Sequence, residues 1–266
     1  MAFSLDKFEI NRWTFESPKI TKEVTMAVIS DLHECEYGEK NFRLLQKVKE
    51  LRPDMVVIAG DWIEAGRRAD CTRIMDFLAE LAKIFPVYFG VGNHERKVFE
   101  MRKYKEQRKR LVNGLQKAGV GLLRNEYQDI GDSNIRITGL DLEKDYYRKV
   151  VRHPVPTEHL YELIDLADES KFNILLAHNP EHFTDYVTWK PDLILSGHVH
   201  GGIIRLPGVG GVISPAYKLF PKYDAGVYSR DGSKMLVSRG LGSHSIRLRI
   251  FNTPELLLVK LKPLGA

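Results

Sequence analysis

The chain has 266 residues, 43% of them hydrophobic, and a formal net charge of +5. That is enough apolar material for one large buried core, with too little charge for a nucleic-acid packaging protein. Cys35 and Cys71 are its only cysteines, which excludes a disulfide framework and fits a reduced, cytoplasmic setting.

Residues 1–7 mix charges where an export signal needs an apolar stretch. No run of about 20 apolar residues follows, so a membrane-spanning helix is excluded and any membrane contact is expected to be peripheral. Residues 8–15 alternate like an edge strand, and Pro18 separates them from an apolar run over 24–29. Residues 41–51 place Phe42, Leu45, Val48 and Leu51 at helical spacing and stop before Pro53. An apolar strand over 55–60, a second helix over 70–84 and a strand over 87–91 continue the alternation, which predicts βαβ units around parallel strands.

Short strands are then expected over 120–123, 126–130 and 134–140, with Gly131-Asp132-Ser133 as the clearest turn. Residues 157–167 predict an amphipathic helix, Thr157 as its N-cap and Leu160, Leu163, Ile164 and Ala167 on one face. Residues 172–177 and 193–197 are buried-strand runs, and strands return over 235–238 and 256–261. No repeat, low-complexity stretch or linker interrupts the chain. A single domain over 1–266 is expected, α/β in class.

Five of the apolar runs break off in the same chemistry. They end in Asp31-Leu32-His33, Asp61, Asn93-His94, His178 and His198-Val199-His200. Side chains two apart on a strand share a face, so Asp31 and His33 are expected to project together from one strand end. Open α/β sheets place ligand sites at such carboxyl ends. One Asp-x-His is weak evidence, because Asp and His are ordinary loop residues. Five strand ends delivering oxygen and nitrogen donors are a metal site.

In this order, Asp31-x-His33, Gly60-Asp61, Gly92-Asn93-His94-Glu95, His178 and Gly197-His198-x-His200 resemble the complete signature of the calcineurin-like metallophosphoesterases. Ser30-Asp31-Leu32-His33, Leu176-Ala177-His178-Asn179-Pro180 and Gly197-His198-Val199-His200-Gly201-Gly202 with Arg205-Leu206-Pro207 resemble a bacterial branch of it. Some members of that branch hydrolyse the diphosphate of UDP-2,3-diacylglucosamine, and others are membrane- or wall-associated phosphoesterases. The resemblance implies an αββα sandwich of two mixed sheets flanked by helices. It also implies two divalent ions, one held by Asp31, His33, Asp61 and His200, the other by Asp61, Asn93, His178 and His198. Asp61 suits the bridge because a carboxylate has two oxygens. The mixed oxygen and imidazole shell suits Mn, Fe or Zn.

Two metals together acidify water into a nucleophile and neutralise phosphate oxygens. The resemblance makes His94, next to ligand Asn93, the group that stabilises the transition state or protonates the leaving oxygen. Glu95 either orients the loop or faces water. The substrate is expected to be a phosphorylated small molecule or lipid, including a nucleotide-sugar lipid precursor, with no nucleic-acid partner. Phosphodiester hydrolysis of nucleotides or cyclic nucleotides is the alternative, and a non-catalytic scaffold a third reading that His94 and the full ligand set oppose.

His153, His159, His182 and His244 read as structural, although His244 follows a strand end and can come near the site. Residues 96–110 carry eight Lys or Arg against two Glu; a solvated helix is favoured over a cap gripping a lipid. Residues 201–226 read as a long apolar loop, tied to His200 and facing the substrate. Arg205 in this loop, and more weakly Arg67 in Gly66-Arg67-Arg68 after Asp61, are the candidate phosphate-binding groups.

Overall fold

The computed structural model describes residues 7–66, 71–147, 152–206, 208–214, 218–243 and 248–265. In chain order the elements are β1 (Glu9–Ser17), β2 (Val24–Ile29), α1 (Phe42–Leu51), β3 (Met55–Ala59), α2 (Thr72–Ala82), β4 (Val87–Gly90), α3 (Asn93–Glu100), α4 (Lys105–Ala118) and β5 (Gly121–Leu123). They continue with β6 (Tyr127–Ile130), β7 (Ile135–Leu140), α5 (Thr157–Ile164), β8 (Phe172–Ala177), α6 (Phe183–Tyr186), β9 (Leu193–Ser196), β10 (Ile204–Leu206), β11 (Gly210–Ile213), β12 (Gly226–Arg230), β13 (Ser233–Val237) and β14 (Glu255–Pro263).

The first sheet has the order β1-β14-β2-β3-β4-β5, parallel throughout except where β14 meets β2. The second has the order β12-β13-β9-β8-β7-β6, with antiparallel pairs only at its two edges. Parallel strands buried on both faces are apolar throughout, and β3 and β8 are buried along their whole length. Val28, Val57 and Leu257 of the first sheet pack on Ile137, Ile174 and Leu195 of the second, forming the inner core. Helices α1, α2 and α4 cover the outside of the first sheet, and α5 and α6 the outside of the second. The four layers run helix, sheet, sheet, helix.

Several local expectations are corrected. Helix α1 turns Leu44 and Val48 into the core and leaves Phe42 59% exposed. An i, i+4 pair outweighs an isolated aromatic at the first turn. Thr157 is the first helical residue of α5, and Pro156 stands at the cap with no side-chain hydrogen bond. The basic stretch over 96–110 is two helices, broken at Met101, whose ψ of 122° is extended. Within the expected loop over 201–226, residues 204–206 and 210–213 pair as antiparallel strands, β10 with β11.

The two sheets meet closely where β5 leads into β6. A Cβ on Gly139 of β7 would lie 2.1 Å from the Leu123 carbonyl oxygen of β5. Backbone cannot move aside as a side chain can, so Gly139→Ala is expected to destabilise the protein by at least about 1–3 kcal/mol through overpacking. A scanning-calorimetry midpoint lowered by several degrees checks this; an unchanged midpoint contradicts it.

Candidate metal centre

Strands β2, β3, β4, β8 and β9 all end on one side of the two sheets, and the residues after them converge. Asp31, His33 and His200 bring one donor atom each within 4.8 Å of one another, as do Asp61, His178 and His198. His33, Asp61 and His94 form a third such group, so Asp61 belongs to two. The His33 and His200 Nε2 atoms are 3.2 Å apart. His200 Nε2 lies 3.4 Å from Asp31 Oδ1, and His178 Nε2 lies 3.1 Å from Asp61 Oδ2. Asn93 Oδ1 is buried without a hydrogen-bond partner among the described residues. A buried oxygen lacking a donor, beside two carboxylates and several imidazoles, fits a divalent cation.

The way these residues reach the centre differs from strand alternation. Strand β2 ends at Ile29, and Asp31 and His33 follow it with φ of 49° and 46°. Asp61, His198 and His200 also have left-handed φ, at 53°, 71° and 54°. Tight left-handed turns swing the side chains inward where a continued pleat would carry them past. The space is correspondingly tight: a Cβ on Gly197 would sit 2.2 Å from Asp31 Oδ2.

Hydrogen bonds sort the imidazoles into two kinds. His178 Nδ1 donates to the Ala59 carbonyl at 2.8 Å, and His200 Nδ1 to the Gly242 carbonyl at 3.1 Å. Both therefore aim Nε2 at the centre, where it offers a lone pair once any proton there gives way to a cation. His94 is arranged the other way, because its Nδ1 accepts the Ala65 N–H at 2.9 Å. The neutral ring then carries its proton on Nε2 and offers a donor.

Charge in the site is strongly coupled. Burial opposes ionisation of Asp61, yet His178, His94 and His33 hold its carboxyl well below the usual range. Burial pushes Asp31 up to about 6, against the pull of His178. Burial likewise opposes a charge on His178, but Asp61 and Asp31 carry its pKa up to about 10.

Glu95 does not face water. Fully buried, its carboxylate accepts the backbone N–H groups of Asp61, Ile63 and Gly92 at 2.8, 3.0 and 2.9 Å. It thereby fixes the loops after β3 and β4 together. Burial and the neighbouring Asp61 push its pKa up to about 7, against the bonds from Ile63 and Gly92. The Arg205 guanidinium donates to Asp224 at 2.6 Å and to the Gly201 carbonyl at 3.4 Å, and so braces the turn after His200. Arg67 and His244 lie outside the described residues. His182 is buried against the Tyr146 carbonyl and Asp185, and His159 pairs with Glu143 and Glu162. His153 is exposed. Sequence reasoning missed Arg249, a buried guanidinium behind His200, because nothing in its neighbours marks it.

The family described as calcineurin-like phosphoesterase matches residues 24–202. An uncharacterized metallophosphoesterase of Aquifex aeolicus is 28% identical, over 96% of this chain and 92% of its own. Protein YpbG of Bacillus subtilis is 30% identical over 90% and 81%, and phosphodiesterase YaeI of Escherichia coli is 27% identical over 80% and 72%. Among solved structures, a dimetal phosphatase from Danio rerio is 13% identical with a TM-score of 0.43, over 82% of this chain and 88% of its own.

Glu95→Gln leaves at least one of the three backbone N–H groups facing an amide nitrogen. A buried unsatisfied donor costs about 1–3 kcal/mol. The variant is expected to melt lower and to retain less metal than wild type, since Asp61 loses its support. Calorimetry with elemental analysis checks both; wild-type metal content would show that Glu95 does not set the position of Asp61.

Proposed function

The chain belongs to the calcineurin-like phosphoesterase family and is a metal-dependent phosphoesterase, and on that premise we propose how its residues divide the work. Asp31, His33, Asp61 and His200 hold one divalent ion; Asp61, Asn93, His178 and His198 hold a second, with Asp61 between them. Two such ions, when bound, acidify water and neutralise phosphate oxygens. The observation that carries the assignment is the opposed bonding of the imidazoles: His178 and His200 offer lone pairs, whereas His94 offers an N–H.

His94 therefore acts as a hydrogen-bond donor to an oxygen that gains charge in the transition state. Full transfer of the Nε2 proton leaves an imidazolate while Ala65 occupies Nδ1, and that anion is too basic to form near neutrality. Donation without transfer is the favoured role. Its backbone N–H donates to Asp61 Oδ1 at 2.8 Å, which leaves Asp61 Oδ2 turned towards His33 and His178.

For the substrate, we favour a phosphorylated lipid or nucleotide-sugar lipid precursor, with peripheral membrane contact, over a soluble nucleotide. The support is an apolar ribbon beginning shortly after His200. Ile250 extends the β10–β11 hairpin on one side and Leu219 on the other. Leu206, Val209, Leu219, Phe220, Leu248 and Phe251 are half of the large apolar side chains exposed among the described residues, and all lie in or beside this ribbon. Leu219 and Phe220 are 68% and 62% exposed, and apolar exposure of this kind suits acyl chains better than a polar ligand. The name of the Escherichia coli relative, phosphodiesterase, supports a diester bond.

His94→Ala is expected to keep its metal while losing on the order of 10²–10³-fold in kcat, the loss of one hydrogen-bond donor to the transition state. Elemental analysis beside steady-state kinetics checks it; metal lost in proportion to activity would make His94 a ligand.

Leu219→Ser with Phe220→Ser removes apolar surface that the fold does not bury. The pair is expected to spare hydrolysis of bis-p-nitrophenyl phosphate and to lower kcat/KM selectively for UDP-2,3-diacylglucosamine, because remote binding energy also positions the reacting centre. Equal loss on both substrates would return the soluble nucleotide reading to first place.

A further inference from the structure

Arg249 is 2% exposed, and among the described residues no carboxylate pairs with it. A buried guanidinium without a counter-ion is costly, so its contacts should carry a purpose beyond filling space. Those contacts are specific. Nη2 donates to the Gly242 carbonyl at 2.5 Å and the Gly240 carbonyl at 3.3 Å. Nη1 donates to the His200 carbonyl at 3.5 Å, and Nε to Ser243 Oγ at 3.1 Å. Nη2 also lies 3.4 Å from His200 Nδ1, and the two share Gly242 O as acceptor.

The segment so gripped lies directly on the centre. Leu241 N donates to the Ser30 carbonyl at 3.0 Å, and Gly242 N to the Asp31 carbonyl at 2.6 Å. Tyr37 Oη donates to the Leu241 carbonyl from the other side. Asn252 Nδ2 donates to the His200 carbonyl at 2.6 Å and the Gly202 carbonyl at 2.5 Å. One guanidinium therefore ties the backbone that carries Asp31 to the backbone and ring of His200. These two residues come from different sheets.

We propose that Arg249 is the positioning residue for the ion held by Asp31, His33 and His200, acting through Gly242 O on the tautomer and tilt of the His200 ring. The inference rests on the dimetal reading above. A planar fork with several donors meets several carbonyls at once, whereas an ammonium on a flexible stem meets them one at a time. Lysine therefore keeps the charge and loses the geometry. On the other side, Asp61 is shared and His198 N donates to Asp31, but among the described residues Arg249 and the Gly240 to Ser243 segment hydrogen-bond to none of Asn93, His178 and His198, so the effect falls mainly on one of two sites.

The experiment is Mn²⁺ binding by isothermal calorimetry to metal-stripped wild type, Arg249→Lys and Arg249→Met, with thermal melting of each stripped protein. The expected result is two ions in every folded protein, with one dissociation constant raised about 10–100-fold in both variants and the other raised less. A purely structural arginine would instead lower the melting point and leave both constants alone, which overturns the proposal. So does a lysine variant that binds both ions as wild type does. If Arg249→Met fails to fold, Arg249→Lys decides between these outcomes. Fewer than two ions in wild type itself overturns the dimetal reading, and this inference with it; two in wild type and two unaltered in Arg249→Lys overturns this inference alone.

Discussion

The burial of Asp31 and Asp61 side by side is the constraint on which the rest of the strand-end structure depends. Each carboxylate is at most 1% exposed, and the effective penalty for removing such an ion from water is several kcal/mol. The visible compensation is polar but largely uncharged. His198 N donates to Asp31, His94 N to Asp61, and Ser30 Oγ to Asp31. Among the described residues neither carboxylate pairs with Lys or Arg; the groups facing them are His33, His178 and His200. One protonated imidazole, His178, cannot neutralise two anions. Divalent cations bound by those same atoms can.

Holding such a site also requires backbone in an expensive conformation. A non-glycine residue in a sparsely populated region costs of order 1–3 kcal/mol and persists only where its surroundings over-determine it. Asp31, His33 and Asp61 meet that condition, because pairing of the β2 and β3 backbones continues past the strands: Asp31 N donates to Gly60 O, His33 N to Asp61 O and Glu34 N to Trp62 O. Glu95 then locks the third loop to the second, and the Gly240 to Ser243 segment closes over the first. Trp62 and Tyr37, both fully buried, anchor this arrangement in the outer core of the first sheet. The site is thus continuous with the packing of the sandwich.

The donors were legible in the sequence because each stands at the abrupt end of an apolar run, a local signal that five strands repeat. The layers were legible for the same reason, since buried parallel strands and amphipathic helices differ in period. Other features carry no local mark. Glu95 and Arg249 look like ordinary charged residues, and what defines them is contact with backbone 32 to 34 and 49 positions away. Strand alternation gave the right partners for Asp31 and His33 by an incorrect route, since turns rather than the pleat aim them. Strands β10, β11 and β12 escaped notice because three to five residues between glycines give no period to read. Helix α1 showed two competing faces, and only packing against the sheet selects Leu44 and Val48 over Phe42.

On the proposed reading, chemistry and substrate choice occupy different material in this molecule, a separation that would let one core serve different esters. The donors lie on strand ends of both sheets, backed by buried partners that leave little freedom. The surfaces beyond them are built from thinner parts. Helix α3 begins at Asn93 and is tied to the second sheet by Arg96, which donates to Asp141 at 2.7 Å just past β7. The ribbon begins after His200 and is braced at its root by Arg205 and Asp224. Each outer feature is rooted next to a proposed ligand, one for each ion. A substrate long enough to touch either surface exerts its binding energy on the backbone that holds the donors, whereas a small aryl phosphate engages the donors alone. Selectivity for large substrates can therefore change through the ribbon or α3 without any change in the residues that perform hydrolysis.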